Sequence, residues 1–242
     1  MAKHKFRFFA YPDDADPQIW ILEEADATHC QRVLKLPSGS HVEATNGQGM
    51  WVEGFLTKKN SQFSIQVENL HHVRKQEPEL HLALGVLQPR SFEEILPGLC
   101  ENAINHLHLI LSNNTNKDFA NEKLKSRWSA IMKSAVKQSK QAWVPTLYHY
   151  RNVAEFVAAL PDALKVRYLL MESENIDQTR NMQIEAPASI VVMGSESGFA
   201  ADEVALFLKN GFRSRHVGNT VLRAKTCALG VSFLMNYQRS LL

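Results

Sequence analysis

In the first part of the chain, apolar and polar residues alternate over short stretches, the period of half-buried strands. Phe6–Ala10 and Gln18–Leu22 predict strands on either side of a loop holding Pro12, Asp13, Asp14 and Pro17. His41–Thr45 and Met50–Thr57 flank Asn46-Gly47-Gln48-Gly49; Asn and Gly tolerate positive φ, so this segment predicts a hairpin. Phe63–Val67 alternates again, and Ala25–Leu36 predicts a short helix stopped by Pro37 and Gly39. Several short strands with one helix predict a small barrel over residues 1–72.

The polar segment 70–78, ending at Pro78, marks a boundary, and the rhythm changes beyond it. Leu80–Leu87, His106–Leu111, Val166–Met171 and Ala188–Met193 are apolar runs of strand length, and Arg215–Val217 is a shorter one. Between them lie helical patterns at Phe92–Asn105 (interrupted by Pro97), Lys123–Gln141, Val153–Leu160, Asp202–Asn210 and Lys225–Ser240. The Asp202–Asn210 helix has acids in its first turn and Gly211 just past its end, as the helix dipole and a left-handed cap favour. Strands alternating with helices predict a mostly parallel sheet covered by helices over residues 78–242.

Composition bounds the function. The chain has 242 residues, 45% of them hydrophobic, and a formal net charge of +2, which describes a folded globular protein rather than a disordered one. Its three Cys (Cys30, Cys100, Cys227) lie far apart, which argues against a disulfide scaffold or a Cys-based zinc site and for a reducing, cytoplasmic setting. No run of about 18 apolar residues lacks a charge, so no membrane span is expected. The first ten residues carry basic groups without a long apolar core, so no signal peptide is expected either. The near-neutral total hides an uneven distribution: from Glu122 to Arg151 seven basic residues face one acid, and from Ala205 onward there is no acid at all. Such a chain can still carry basic surfaces.

Three segments carry candidate chemistry. Val191-Val192-Met193-Gly194-Ser195-Glu196-Ser197-Gly198 runs from an apolar strand into a small-residue turn, the kind of place where parallel sheets expose backbone amides to a ligand. Alone, the same sequence equally describes a plain strand-to-helix turn; it lacks the three-glycine dinucleotide spacing, and Glu196 occupies the place a hydrolase elbow reserves for Ser. The second is Val217 to Ala228, where Arg223 and Lys225 open a helix, a position that weakly suggests an anionic neighbour. In the third, the Lys123–Gln141 helix, Lys123, Arg127, Lys133, Lys137 and Lys140 lie opposite an apolar face; this suits phosphate contacts, and equally a solvated face. Among ten His, His71-His72 and His106/His108 are the nearest pairs, without helical i, i+4 spacing or a carboxylate to complete a set, so no metal is expected.

The motifs taken together carry a resemblance. Arg7-Phe8-Phe9, the Thr28–Leu36 stretch with His29 and Val33-Leu34-Lys35, Asn46-Gly47-Gln48-Gly49, Arg127-Trp128 through Gln138-Ser139, Gly194–Phe199, Gly218 and Val221-Leu222-Arg223 with Thr226 match a known pattern in order. Over nearly its whole length the chain resembles the 16S rRNA uridine-N3 methyltransferases (RsmE type) of the SPOUT class. The resemblance implies an RNA-binding PUA-like β-barrel followed by a SPOUT-type α/β domain whose trefoil knot binds S-adenosylmethionine, in a homodimer acting on 16S rRNA or the small ribosomal subunit. It implies cofactor contacts from Leu170, Met171, Gly194, Ser195, Glu196, Ser197, Gly198, Val217, Gly218, Val221, Leu222 and Thr226. It implies RNA contacts from Arg7, Arg32, Lys35, Arg127, Lys137 and Lys140.

Several positions depart from the family pattern. Ser195 and Ser197 stand for Pro and Gly in the glycine loop, Asn219-Thr220 for Pro-Arg, and Ala224-Lys225 for Thr-Glu, reversing a charge. Ser112-Asn113-Asn114 stands for Ser-Glu-Arg, and Lys140-Gln141 for Gly-Arg. If the chain is an active enzyme, uracil N3 must lose its proton as it attacks the methyl group, and Arg223, with Lys225 contributing, is the expected catalytic group stabilising the developing charge. A non-catalytic RNA-binding relative and a methyltransferase with a different RNA target remain alternatives at this point.

Overall fold

Five short strands close into a barrel. In chain order they are β1 (Arg7–Pro12), β2 (Ile19–Leu22), β3 (His41–Thr45), β4 (Met50–Lys59) and β5 (Gln62–His72), hydrogen-bonded in the order β1-β2-β5-β4-β3. A parallel β1–β3 pairing completes the ring, and the other pairings are antiparallel. Alternation puts Phe8, Trp20, Val42, Val52, Leu56 and Ile65 inside. The structure is a computed structural model describing residues 5–59, 62–114, 121–171, 182–217 and 220–242.

The helix expected over Ala25–Leu36 is α1 (Glu24–His29) followed by a wider π-helical turn, Cys30–Leu34, and ends at Lys35 with φ of 49° rather than at Pro37. Inside α1, the buried Asp26 carboxylate accepts the Phe9 backbone N–H at 2.5 Å.

The rest of the chain builds a six-stranded parallel sheet from β6 (Glu79–Gly85), β7 (His106–Ile110), β8 (Thr146–Tyr150), β9 (Leu164–Leu170), β10 (Ala188–Met193) and β11 (Arg213–Arg215), ordered β11-β9-β10-β6-β7-β8. β7 and β10 are buried along their whole length and β6 at all but its first residue, which explains why the central strands read as continuous apolar runs. The helices are α2 (Pro89–Glu101), α3 (Glu122–Gln138), α4 (Val153–Ala158), α5 (Ala201–Lys209) and α6 (Ala224–Arg239). Pro97 sits inside α2 without ending it.

Two expectations are corrected at the sheet edges. β8 escapes the sequence reading, because an edge strand buries little: Thr146 and Tyr148 are exposed and the other three residues are only half-buried. β11 occupies Arg213–Arg215, not Arg215–Val217; Phe212 is buried against Phe207 (ring centroids 5.1 Å apart), which starts the strand immediately after it and pairs Arg213 with Tyr168.

The chain divides into two compact units, one made of Met1–Lys75 with Lys133–Val144, the other of Gln76–Met132 with Pro145–Leu242. The passage between them near residue 75 lies within the polar segment read as a boundary, but Lys133–Val144, which the sequence reading gave to the second domain, belongs with the barrel. Its basic residues explain this. Lys133 pairs with Glu23 at 2.5 Å, Lys137 with Asp26, and Lys140 with Glu43 at 2.7 Å. Glu43 also receives Arg7 Nε at 2.9 Å, and the Arg7 guanidinium lies 4.9 Å from the centre of the Trp51 ring. Burial pushes the Glu43 carboxyl up, but the hydrogen bonds and charges of Lys140 and Arg7 outweigh it and hold it below the usual carboxylate range.

Candidate active site

The site forms at the carboxyl ends of β9, β10 and β11, where an open parallel sheet offers its ligand crevice. Each of these strands passes into a loop: Leu170-Met171 after β9, Gly194–Phe199 after β10 and His216-Val217 after β11. Together with the 220–225 segment before and into α6, they enclose a cavity of about 1060 Å³. That is ample for a nucleoside-sized ligand, since small-molecule pockets run to roughly 1,000 Å³.

The glycine loop packs against the end of β6. A Cβ on Gly85 would lie 2.5 Å from the Ser195 backbone nitrogen, and one on Gly194 would lie 2.8 Å from the Gly198 Cα. Both glycines are therefore demanded by backbone meeting backbone. Within the loop, Gly198 N–H donates to the Ser195 carbonyl at 3.0 Å, and Ser197 N–H reaches the Ser195 hydroxyl at 3.3 Å.

The loop is also held from outside. Glu203, buried in the first turn of α5, accepts the Ala200 N–H at 2.8 Å and the Asn113 N–H at 3.0 Å. Asn114 Nδ2 donates to the Ser197 carbonyl at 3.3 Å. Asn113 and Asn114, read from sequence only as losses from the family pattern, thus touch the loop and its following helix. No local signal announced this: in sequence Glu203 is an ordinary first-turn helix acid, and the fold buries it where it accepts the Ala200 and Asn113 backbone N–H groups.

Most expected residues meet in this cavity. Leu170, Met171, Gly194, Ser195, Glu196, Ser197, Gly198, Val217, Val221 and Leu222 line it, and so do Arg223 and Lys225. Thr226 does not line it; it is exposed in the first turn of α6. Gly218, with Asn219, lies outside the described residues. Met193, Phe199 and Cys227, which lie in the quoted segments but were not named as site residues, also line the cavity, and so does His216, which was not singled out from sequence. Lys225 Nζ is held at 2.6 Å by Glu94 of α2, whose carboxyl that hydrogen bond and charge lower from the usual range. The charge reversal at position 225 is thereby matched by an acid on the adjacent helix. Arg223 is the exposed N-cap residue of α6.

The basic face expected to be free of acids is not free of them. Arg127 pairs with Glu93 at 2.8 Å, while Arg7, Lys137 and Lys140 are engaged by Glu43 and Asp26, as described above. The acids come from distant parts of the sequence, so a helix read alone showed only its cations. Arg32 and Lys35 are exposed. One premise of the metal reading is corrected: a carboxylate does stand beside the His106/His108 pair, because the β6–β7 pairing brings Glu79 Oε2 to 2.7 Å from His106 Nε2.

A five-stranded barrel together with a parallel α/β unit whose ligand cavity lies at its carboxyl strand ends defines the class: a PUA-like barrel with a SPOUT-type α/β domain, as the sequence led one to expect. Residues 75–236 match the family described as RNA methyltransferase domain, and the chain belongs to that family. The ribosomal RNA small subunit methyltransferase E of Synechocystis sp. is 26% identical over 228 residues, covering 91% of this chain and 74% of the relative. Its counterpart from Mesomycoplasma hyopneumoniae is 25% identical over 175 residues, covering 70% and 74%. Among solved structures, a ribosomal RNA small subunit methyltransferase E from Neisseria gonorrhoeae bound to S-adenosylmethionine superposes with a TM-score of 0.83 at 18% identity, covering 97% of this chain and 98% of that one. A methyltransferase from Legionella pneumophila with the same cofactor gives 0.81 at 19% identity, covering 96% of each. These two likenesses are of fold. No helix among the described residues is long and apolar enough to cross a membrane.

Proposed function

We propose that the protein transfers the methyl group of S-adenosylmethionine to N3 of a uridine in 16S rRNA, acting in the cytoplasm on the small ribosomal subunit. The observation that carries this reading is that Arg223 and Lys225 line the same cavity as the Gly194–Gly198 loop. Family membership and the named relatives supply the reaction class; the cavity supplies a place for it.

The residues present suit the cofactor. Leu170, Met171, Val217 and Leu222 offer apolar walls for an adenine ring, and the Gly194–Gly198 backbone, brought close by the glycine contacts, offers amides to its polar parts. When bound, the cofactor supplies an electrophilic methyl group. Arg223 would then stabilise the negative charge that develops on the uracil as N3 gives up its proton to solvent water. Lys225, anchored by Glu94, sets the position of the first turn of α6 beside the base. N3 lies on the pairing edge, so the target uridine enters unpaired or extruded. Arg32 and Lys35, exposed on the barrel unit, contact the RNA backbone, whereas Arg7, Lys137 and Lys140 serve the barrel's own acids.

The protein works as a homodimer through α6. Phe233 and Tyr237 on α6, with Leu241 and Leu242 just past its end, leave 59%, 53%, 68% and 79% of their surfaces exposed, apolar surface that favours burial against a second copy. The functional reading is tested by comparing wild type with Arg223→Ala. The variant is expected to keep cofactor affinity within a few-fold and to lose methyl transfer. Equal transfer by both proteins removes Arg223 from the mechanism, and absence of transfer by the wild type leaves the non-catalytic RNA-binding reading in its place.

A further inference from the structure

At the opposite, amino-terminal end of the parallel sheet from the cavity, β6 and β7 carry a second group of chemically capable side chains. Glu79 opens β6 and His81 follows two residues later on the same face; His106 opens β7, directly paired with His81 in the ladder. One donor atom from each of Glu79, His81 and His106 lies within 4.8 Å of the other two. Glu79 Oε2 and His106 Nε2 are 2.7 Å apart, and the His81 and His106 rings stack with centroids 4.2 Å apart.

We propose that Glu79, His81 and His106 bind one divalent transition-metal ion of the zinc type. The donor chemistry selects the class. Two imidazoles and one carboxylate suit zinc and its first-row neighbours, whereas magnesium and calcium take oxygen donors. With metal–ligand bonds of about 2.0–2.2 Å, tetrahedral ligands stand roughly 3.3 Å apart, a value between the 2.7 Å contact and the 4.8 Å span of this group. The ladder fixes the two backbones in register, so the adjustment is made by Glu79, the least buried of the three, and by the stacked His81 and His106 rings turning until a nitrogen of each faces the ion. His81 and His106 are only 6% and 8% exposed, while the Glu79 side chain keeps 30% of its surface open, leaving a side from which an ion arrives and a water completes the shell.

The surroundings fit a metal ligand set. Metal-bound imidazoles characteristically hand their second nitrogen to an outer partner that fixes the ring. His81 Nδ1 meets His108 Nε2 at 3.0 Å, and His108 Nδ1 meets the Tyr150 hydroxyl at 3.1 Å, a chain running from the ligand group to the edge strand β8. The ion replaces the proton shared between Glu79 and His106 and ties the starts of β6 and β7 together. It stands apart from the methyl-transfer cavity, so its role is structural.

The test uses the untagged full-length chain, stripped with a chelator and titrated with zinc by calorimetry, with magnesium as control. The proposal expects one zinc ion per wild-type chain, a rise in melting temperature on its addition, no magnesium binding, and visible absorption of tetrahedral Co²⁺ when cobalt is substituted. Glu79→Gln, which keeps the side chain's shape at a partly exposed position, is expected to weaken zinc binding at least about tenfold; His81→Gln with His106→Gln is expected to abolish that ion. Absence of a stoichiometric ion in the wild type overturns the proposal. So does zinc binding of unchanged number and affinity in Glu79→Gln, which would place the ion on other histidines.

Discussion

Replacing Gly85 with Ala tests whether the glycine loop is held by backbone packing. The new Cβ would sit 2.5 Å from the Ser195 nitrogen and 3.0 Å from the Gly194 carbonyl carbon, and no flexible side chain is there to yield. Reaching ordinary van der Waals contact at 3.4–4 Å requires the loop or the end of β6 to recede by about 0.9–1.5 Å. Overpacking of this kind costs about 1–3 kcal/mol. For a chain of this size that lowers the melting temperature by about 2–12 °C. If the loop relieves the strain by moving away, binding S-adenosylmethionine must reimpose it, so the dissociation constant rises by about 5- to 150-fold. Calorimetric titration of folded Gly85→Ala with the cofactor, alongside its thermal melt, measures both effects. Wild-type affinity in a variant that melts at the wild-type temperature would refute the close-packing argument; wild-type affinity with a lowered melting temperature would show that the strain falls on β6 and not on the loop.

Three further outcomes are expected. Glu43→Gln removes the anion shared by Arg7 and Lys140 and leaves a buried guanidinium without its partner, destabilising the fold by about 3 kcal/mol in chemical denaturation. Because the folded-state pKa of Glu43 lies below its ordinary value of 4.5, its stabilisation is complete above that pH and is lost as the pH falls through the lower folded value; the stability–pH curve of Glu43→Gln is expected to be flatter across that window. Arg223→Ala is expected to lower the transfer rate by about 10²–10³-fold, the usual effect of removing one charge-stabilising donor, as read by single-turnover kinetics. Phe233→Asp combined with Tyr237→Asp is expected to convert the dimer to monomer in analytical ultracentrifugation, since both side chains are more than half exposed on the proposed α6 interface.

The sequence disclosed what local chemistry controls. Central strands such as Ala188–Met193 are buried along their length and so read as unbroken apolar runs, and the Asn46–Gly49 turn announces its hairpin. The Gly194–Gly198 loop was legible because small residues follow the apolar strand β10, whereas the loop after β11 follows a polar edge strand, Arg213–Arg215, and was read only from its own residues. What was hidden depends on residues far apart in the chain. The Lys133–Lys140 stretch looked free for RNA until the fold supplied Glu23, Asp26 and Glu43. Lys225 looked like an uncompensated reversal until α2 supplied Glu94 across 131 positions of sequence. The Glu79–His106 pair needed the β6–β7 register, and β8 was missed because its edge position leaves little burial to imprint on its sequence.

Nucleoside mapping tests the central claim most directly. Small ribosomal subunits from a strain lacking the uridine-N3 enzyme would be incubated with the purified protein and S-adenosylmethionine, and the digested 16S rRNA analysed by mass spectrometry. The account predicts one new N3-methyluridine per rRNA, absent with Arg223→Ala. A methyl group on another base or another uridine atom would contradict the assigned chemistry, and no new methyl group with a folded, cofactor-binding protein would contradict the assignment of this rRNA as substrate.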